Sequence, residues 1–237
     1  MVFSSLIFLY AFLPLSLLVY VLCKGREAKN MSLLVFSLIF YAWGEPKYVL
    51  LLMFMSLCSW FCALRVERAA SRKGKRAWVA VSCAIDIALI GFFKYAGLIC
   101  SVFGEVPEFI ANIALPIGIS FYTFQLLTYV VDVYRGDTPP NRSLAQVALY
   151  ISFFPQLIAG PIVRYTDVAL DMNERRETLD GAAEGAARFI FGLGKKCILS
   201  NALAELSDRA FACTSDELSA GLAWLGMIAY TLHIYYD

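Results

Sequence analysis

Long apolar runs separated by short polar, basic interruptions predict a bundle of membrane helices. Residues 3–23 are almost continuously apolar and end at Lys24, Arg26 and Lys29. That length matches the roughly 20 residues needed to cross a ~30 Å hydrocarbon core. A second run, 31–43, halts at Gly44, Glu45 and Pro46, and a third, 47–64, enters RVERAASRKGKR. There Arg65, Arg68, Arg72, Lys73, Lys75 and Arg76 face one acid, Glu67. Loops rich in Lys and Arg stay on the cytoplasmic side. Residues 31–64 are therefore expected to run out and back as a hairpin. Its first arm covers only about 20 Å at ~1.5 Å per residue, which predicts a thin-spanning or shallow arm.

Residues 77–103 lead outward again and carry Asp86 and Lys94, and 115–134 return to Arg135. Pro155, Gly160 and Pro161 interrupt 144–163, and Arg142 and Arg164 flank it, which predicts a re-entrant or broken helix. The polar stretch 171–189 reads as one interfacial amphipathic helix. Lys195 and Lys196 sit in the middle of 189–213 and leave it open, whereas 218–236 is long enough to span. The expectation is an all-α polytopic membrane protein with about six to eight membrane helices or re-entrant elements. It forms a single transmembrane domain over 1–237, with no repeat and no soluble domain. The N-terminus lacks the basic start and the cleavage site of a signal peptide. It is read as a retained first helix with its N-terminus outside.

Composition agrees with this pattern. Hydrophobic residues make up 60% and charged residues 16%, against about a quarter charged in soluble domains. The net charge of +1 gives no reason to expect a nucleic-acid partner. Seven cysteines, with no CxxC pair and mostly in apolar runs, read as small buried hydrophobes. The one histidine, His233, excludes most His-based metal sites and the usual in-chain triad.

Candidate chemistry lies inside the apolar runs. Tyr122, Gln125 and Tyr129 fall on one helical face. They either line a tunnel or hold helices together by hydrogen bonds. Gln156, between the prolines of 153–164, satisfies a freed carbonyl or meets a substrate. Asp86 and Lys94 are eight residues apart and either share a cavity or leave Lys94 to snorkel outward. Asp132 closes a helix at the membrane face. Lys195 and Lys196 meet the phosphates of an anionic donor or lipid headgroups. His233 reads as an interfacial or core histidine.

Nine short motifs follow one another along the chain. They are MVFSS at 1–5, FLPL at 12–15, FYAW at 40–43, FKYAG at 93–97 and LPIGISFYTF at 115–124. DVYRGDTP at 132–139, FFPQLIAGPIVR at 153–164, the RF…G…KK pattern at 188–196 and AYTLHIYYD at 229–237 complete the set. In content and order they resemble, from end to end, the membrane-bound O-acyltransferase (MBOAT) family, closest to its alginate O-acetyltransferase branch, with the D-alanyl transfer proteins of teichoic acid synthesis as relatives. In the family the last motif continues into Phe-Ser-Gly-Tyr-Ser-Asp, and a later Trp-His-Gly bears the catalytic histidine. The resemblance therefore implies a partial MBOAT fold, the N-terminal portion, whose catalytic histidine lies beyond Asp237. Alone it is expected to be inactive, and His233 is not that histidine.

The resemblance further implies acetyl transfer to hydroxyls of an exported polysaccharide or cell-envelope polymer through a transmembrane tunnel, as in alginate biosynthesis. Tyr122, Gln125, Gln156 and Arg164 are the tunnel or support candidates, and Lys195 and Lys196 the donor-side candidates. No catalytic residue and no metal are assigned. No cofactor is bound, and the acyl donor is acetyl-CoA or an acylated carrier. Partners are the lipid bilayer, the polymer, and periplasmic acetyltransferases or an acyl carrier, in a bacterial inner membrane. Two alternatives stay open: a transporter or acyl-donor channel using the same cavity, and a non-catalytic scaffold remnant.

Overall fold

The computed structural model describes residues 3–104, 107–157, 162–214 and 218–237. Among them the regular structure is entirely helical. The chain divides into two compact units, one covering Phe12–Arg175 and the other Arg176–Asp237 with residues 3–11.

The first unit contains α1 (Leu13–Leu22), α2 (Arg26–Gly44), α3 (Val49–Arg68), α4 (Arg72–Phe103) and the short α5 (Glu108–Ala111). It continues with α6 (Ile119–Arg135), α7 (Leu144–Ser152), the single turn α8 (Phe154–Leu157) and α9 (Tyr165–Glu174). Helices α3, α4 and α6 pack on one another, and α7 packs against α2 and α3. The segment ending in α3 (Pro46–Arg68) and α4 are long and apolar enough to cross a membrane, whereas the apolar stretch Phe8–Leu22 is shorter.

Their surfaces are inverted relative to a helix in water. On α3 the buried positions Leu52, Met55, Ser56, Ser59 and Ala63 recur at helical spacing. Leu50, Phe54 and Phe61 are exposed. Only 6% of the residues in the apolar window of α4 are buried. Contiguous apolar surface of this extent needs an apolar surrounding.

Several sequence expectations change in detail. The helix of the first arm is longer than its apolar run, although α2 is not among the helices long and apolar enough to cross a membrane. Gly25, at φ +86°, lets the chain turn so that α2 starts at Arg26. Its 19 residues then reach about 28 Å. The run 144–163 does break, with Phe153 separating α7 from α8, and the first amide of α8 donates to Ser37 Oγ at 3.3 Å. Ile158, Ala159, Gly160 and Pro161 lie outside the described residues. The single amphipathic helix expected over 171–189 is two helices. Arg175 leaves helical geometry (φ −56°, ψ 138°) and donates to Asn30 Oδ1 at 2.7 Å. A new helix starts after Thr178, whose hydroxyl accepts from the Gly181 amide.

The second unit contains α10 (Leu179–Gly194), α11 (Asn201–Phe211) and α12 (Ala220–Tyr236). A π-helical segment, Lys195–Ser200, joins α10 to α11 without a break. Helix α12 packs along α11 where small residues permit it, with Gly226 and Ala229 buried on α12 and Ala210 on α11. Small residues at such a contact let helix backbones approach closely in a membrane.

Candidate functional site

Contacts at the two ends of the first unit pair the loops that charge placed on the same side. At one end the 44–48 turn meets the loop before α6. Tyr41 donates to the Ile117 carbonyl (3.2 Å), Tyr48 donates to the Ala114 carbonyl (2.7 Å), and Glu45 Oε2 accepts from the Ile117 amide (2.8 Å). At the other end the basic stretch meets the loop after α6. Arg142 pairs with Glu67 at 2.7 Å, Arg76 donates to the Tyr134 hydroxyl at 3.2 Å, and Trp60 Nε1 donates to the Asn141 carbonyl at 3.0 Å.

Helix α6 joins these ends and buries a line of polar side chains. Tyr122, Thr123, Gln125, Tyr129 and Asp132 are all nearly inaccessible. Ten residues separate Tyr122 from Asp132, about 15 Å along the axis. Tyr129 is satisfied, accepting from the Asn141 amide at 3.0 Å. Among the described residues, Thr123 Oγ1, Gln125 Oε1 and Asp132 Oδ2 have no hydrogen-bond partner. Tyr41 stands beside Tyr122 and, while donating to the Ile117 carbonyl, keeps a lone pair that accepts from the Tyr122 hydroxyl. A buried polar atom without a partner costs about 1–3 kcal/mol. Three on one helix are therefore expensive unless water or a ligand meets them.

Gly118 sets how closely α6 approaches α8. It sits at φ +75°, and a Cβ placed there would lie 2.9 Å from the Leu157 carbonyl oxygen and 3.9 Å from the Tyr122 ring. Next to Leu157, Gln156 donates to the Tyr150 carbonyl at 2.6 Å. Gln156 also lines an apolar cleft of about 420 Å³ with Leu17, Leu33, Phe153, Val168 and Met172. Arg175 and Tyr20 stand at its polar edge.

A larger and more polar pocket, about 690 Å³, opens at the Arg142 end between residues 137–146 and α9. Asn141 organises it. Its Nδ2 donates to Gln146 Oε1 and to the Tyr165 hydroxyl, each at 2.6 Å, and its Oδ1 accepts from the Ser143 amide at 2.7 Å. Burial pushes the Tyr165 phenol up from its ordinary pKa, partly offset by the Asn141 bond. Neither Asn141 nor Tyr165 stands out in the sequence. The available signal was Pro139-Pro140-Asn141 after Gly136, a turn whose amide side chain can bond locally.

The remaining candidates are dispersed. Arg164 is exposed at the start of α9, with Asp132 within electrostatic reach. Asp86 is fully buried in α4, and among the described residues neither carboxylate oxygen has a hydrogen-bond partner. Lys94 is exposed with its ammonium 5.6 Å from the Tyr95 ring, so the two acid and base candidates do not pair. In the second unit Lys195 is exposed, and Lys196 is ion-paired with Asp237. Chemically, the first unit offers hydroxyl and amide donors and acceptors along a buried line, with a polar pocket at one end.

Comparison with known proteins finds curated relatives over the whole chain. A Pseudomonas putida protein named "Probable alginate O-acetylase AlgI" is 41% identical over 245 aligned positions, covering all of this chain and 50% of that protein. A Pseudomonas aeruginosa protein of the same name is 40% identical, with all of this chain and 46% of the relative covered. A Helicobacter pylori "Peptidoglycan O-acetyltransferase" is 29% identical over 272 positions, covering all of this chain and 51% of the relative. The chain thus spans about half the length of the curated relatives it matches. No family model and no solved structure matches.

Proposed function

We propose, from its likeness to proteins named alginate O-acetylase and peptidoglycan O-acetyltransferase, that this chain works in a membrane-bound O-acyltransferase. The reaction transfers an acetyl group to hydroxyls of an exported polysaccharide or cell-envelope polymer. The whole-chain likeness to relatives named for two different polymers carries this reading. What those names share is acetyl transfer to an envelope polymer, so the reaction class is better supported than the acceptor.

The chain is proposed to be multi-pass in a bacterial inner membrane, with its N-terminus outside and residues 1–237 forming one transmembrane domain. The Arg142 end then faces the cytoplasm. The donor, acetyl-CoA or an acylated carrier, approaches there by the pocket around Asn141. Arg142 lines that pocket, and Arg164 is exposed at the start of α9, so both are cations of the first unit available to its anionic groups. Tyr122, Gln125 and Gln156 are proposed to line the path along α6 and α8. Tyr122 and Gln125 each offer an acceptor oxygen to a passing hydroxyl. Acyl transfer also needs a base on the acceptor hydroxyl and donors for the developing oxyanion. The α6 residues bind and orient, and none of them is given the role of base.

The test is to express the gene, with all the coding sequence of its reading frame, in a bacterium lacking its own envelope O-acetyltransferase. Ester-linked acetate released from the polymer by mild alkali is the readout. Acetate above the vector control, lowered at least tenfold in Tyr122→Phe or Gln125→Leu, supports the proposal. Acetate no higher than the control, with the protein present in the membrane, sinks it.

A further inference from the structure

Within the second unit, the π-helical segment Lys195–Ser200 meets the end of α12 through a cluster of four side chains. Ser200 is fully buried. Its hydroxyl oxygen lies 2.9 Å from His233 Nδ1 and 3.1 Å from Asp237 Oδ1. The Ser200 carbonyl oxygen is 3.2 Å from the same His233 nitrogen. Lys196, one turn before Ser200, is ion-paired with Asp237. Short π segments recur at functional sites because they re-aim the groups they carry.

The partners assign the protons. A carbonyl oxygen only accepts, so the nitrogen facing it, His233 Nδ1, carries the hydrogen. The serine hydroxyl has one hydrogen, which goes to the charged Asp237 carboxylate at 3.1 Å rather than to the neutral, more distant His233 carbonyl at 3.4 Å. The hydroxyl lone pair then accepts from Nδ1 as well. Both contacts on Nδ1 agree, so a neutral ring keeps its lone pair on Nε2. Among the described residues no hydrogen bond engages Nε2. The Lys196 ammonium compensates the Asp237 carboxylate, so the cluster presents an oriented acceptor with little net charge. That chemistry suits an uncharged donor, a hydroxyl, better than an ion.

We propose that Ser200, Asp237 and Lys196 hold His233 in one tautomer so that its Nε2 binds a hydroxyl of a carbohydrate ligand. The carbohydrate rests on the function proposed above, whereas the tautomer does not. Ser200 is a positioning residue here, and His233 is the contact.

His233 is the only histidine in this chain, so labelling the chain with ¹⁵N-histidine reports on this ring alone. Solid-state NMR in lipid bilayers should show a protonated Nδ1 and a bare Nε2, and a protonated Nε2 overturns the proposal. Titration with an alginate oligosaccharide should move the Nε2 resonance toward the hydrogen-bonded range, with glycerol as a weaker control. An Nε2 signal that stays put at saturating oligosaccharide also overturns it. Ser200→Ala should mix the two tautomers. In the acetylation assay, His233→Leu should raise KM for polymer about tenfold with little change in kcat. His233→Gln, which keeps an acceptor oxygen, should retain most affinity. Equal KM for both variants and the wild type means a structural histidine and refutes the assignment. If no acetylation occurs in any protein, the proposed function fails, and the two NMR measurements still decide the site.

Discussion

Replacing Gly118 with alanine isolates the close approach on which the buried path depends. Two penalties act there. At φ +75° a Cβ faces the left-handed strain of any L-residue, about 1–2 kcal/mol. That Cβ would also stand 2.9 Å from the Leu157 carbonyl oxygen, a backbone atom that cannot rotate aside. Overpacking of this kind adds about 1–3 kcal/mol. Gly136 supplies the control, because it has φ +86° but nothing lies within 4 Å of the place a methyl group would take. Gly136→Ala should therefore cost about 1–2 kcal/mol, and Gly118→Ala about 2–5 kcal/mol. Unfolding of both variants in detergent micelles, followed by helical circular dichroism, measures the difference. Relief of the clash must push α8 off α6 and carry Gln156 with it. Gly118→Ala should accordingly lose acetyl transfer even where it remains folded, while Gly136→Ala keeps it. Equal stability losses for the two variants would refute the claim that α6 and α8 meet at Gly118.

Asn141→Ala removes three side-chain bonds and should destabilise by about 2–4 kcal/mol. Asn141→Asp, which still accepts from the Ser143 amide and can accept from Tyr165, should cost clearly less; identical melting losses would argue against the Asn141 network. In a background without the seven native cysteines, Lys47→Cys should be labelled by an impermeant maleimide from outside the cell, and Lys73→Cys only after lysis. Labelling of both from one side would contradict the hairpin. On α12, a Cβ at Gly226 would lie 2.8 Å from Ala210 Cβ, so Gly226→Ala should cost about 1–3 kcal/mol. Adding Ala210→Gly should restore most of that loss, and additive losses in the double variant would place the two residues apart.

Much of the helical layout was legible because each apolar run and each basic cluster is a local signal. The turn at Gly44-Glu45-Pro46, the basic stretch 65–76 and the break near Pro155 all lie where chain chemistry demands them. Misreadings arose where a distant residue decides the backbone. Arg175 ends α9 by bonding Asn30, 145 positions away, and no window over 171–189 contains that partner. The start of α2 was missed because its first turn is polar. Lys29 lies over the Tyr20 ring at 5.0 Å, and Asn30 donates to the Met172 carbonyl. The candidate stripe on α6 was visible as spacing. Which of its members are satisfied depends on α2 and on the loop after α6.

The sequence by itself determined that this chain is helical and apolar, which loops carry the basic clusters, and which family it resembles. Those properties follow from composition, periodicity, charge and motif order, each readable along the chain without its fold. Tertiary structure decided which polar groups keep an unmet hydrogen bond. Tyr129 and Tyr122 occupy equivalent positions in the stripe, yet only Tyr129 meets a loop amide. Tertiary structure also decided that Lys196 is neutralised while Lys195 is not, and that His233 faces a serine and a carbonyl from 33 residues earlier. A hydrogen bond depends on tenths of an ångström and on direction. Only the packed fold fixes those, whereas a hydrophobic pattern survives many arrangements of the same helices.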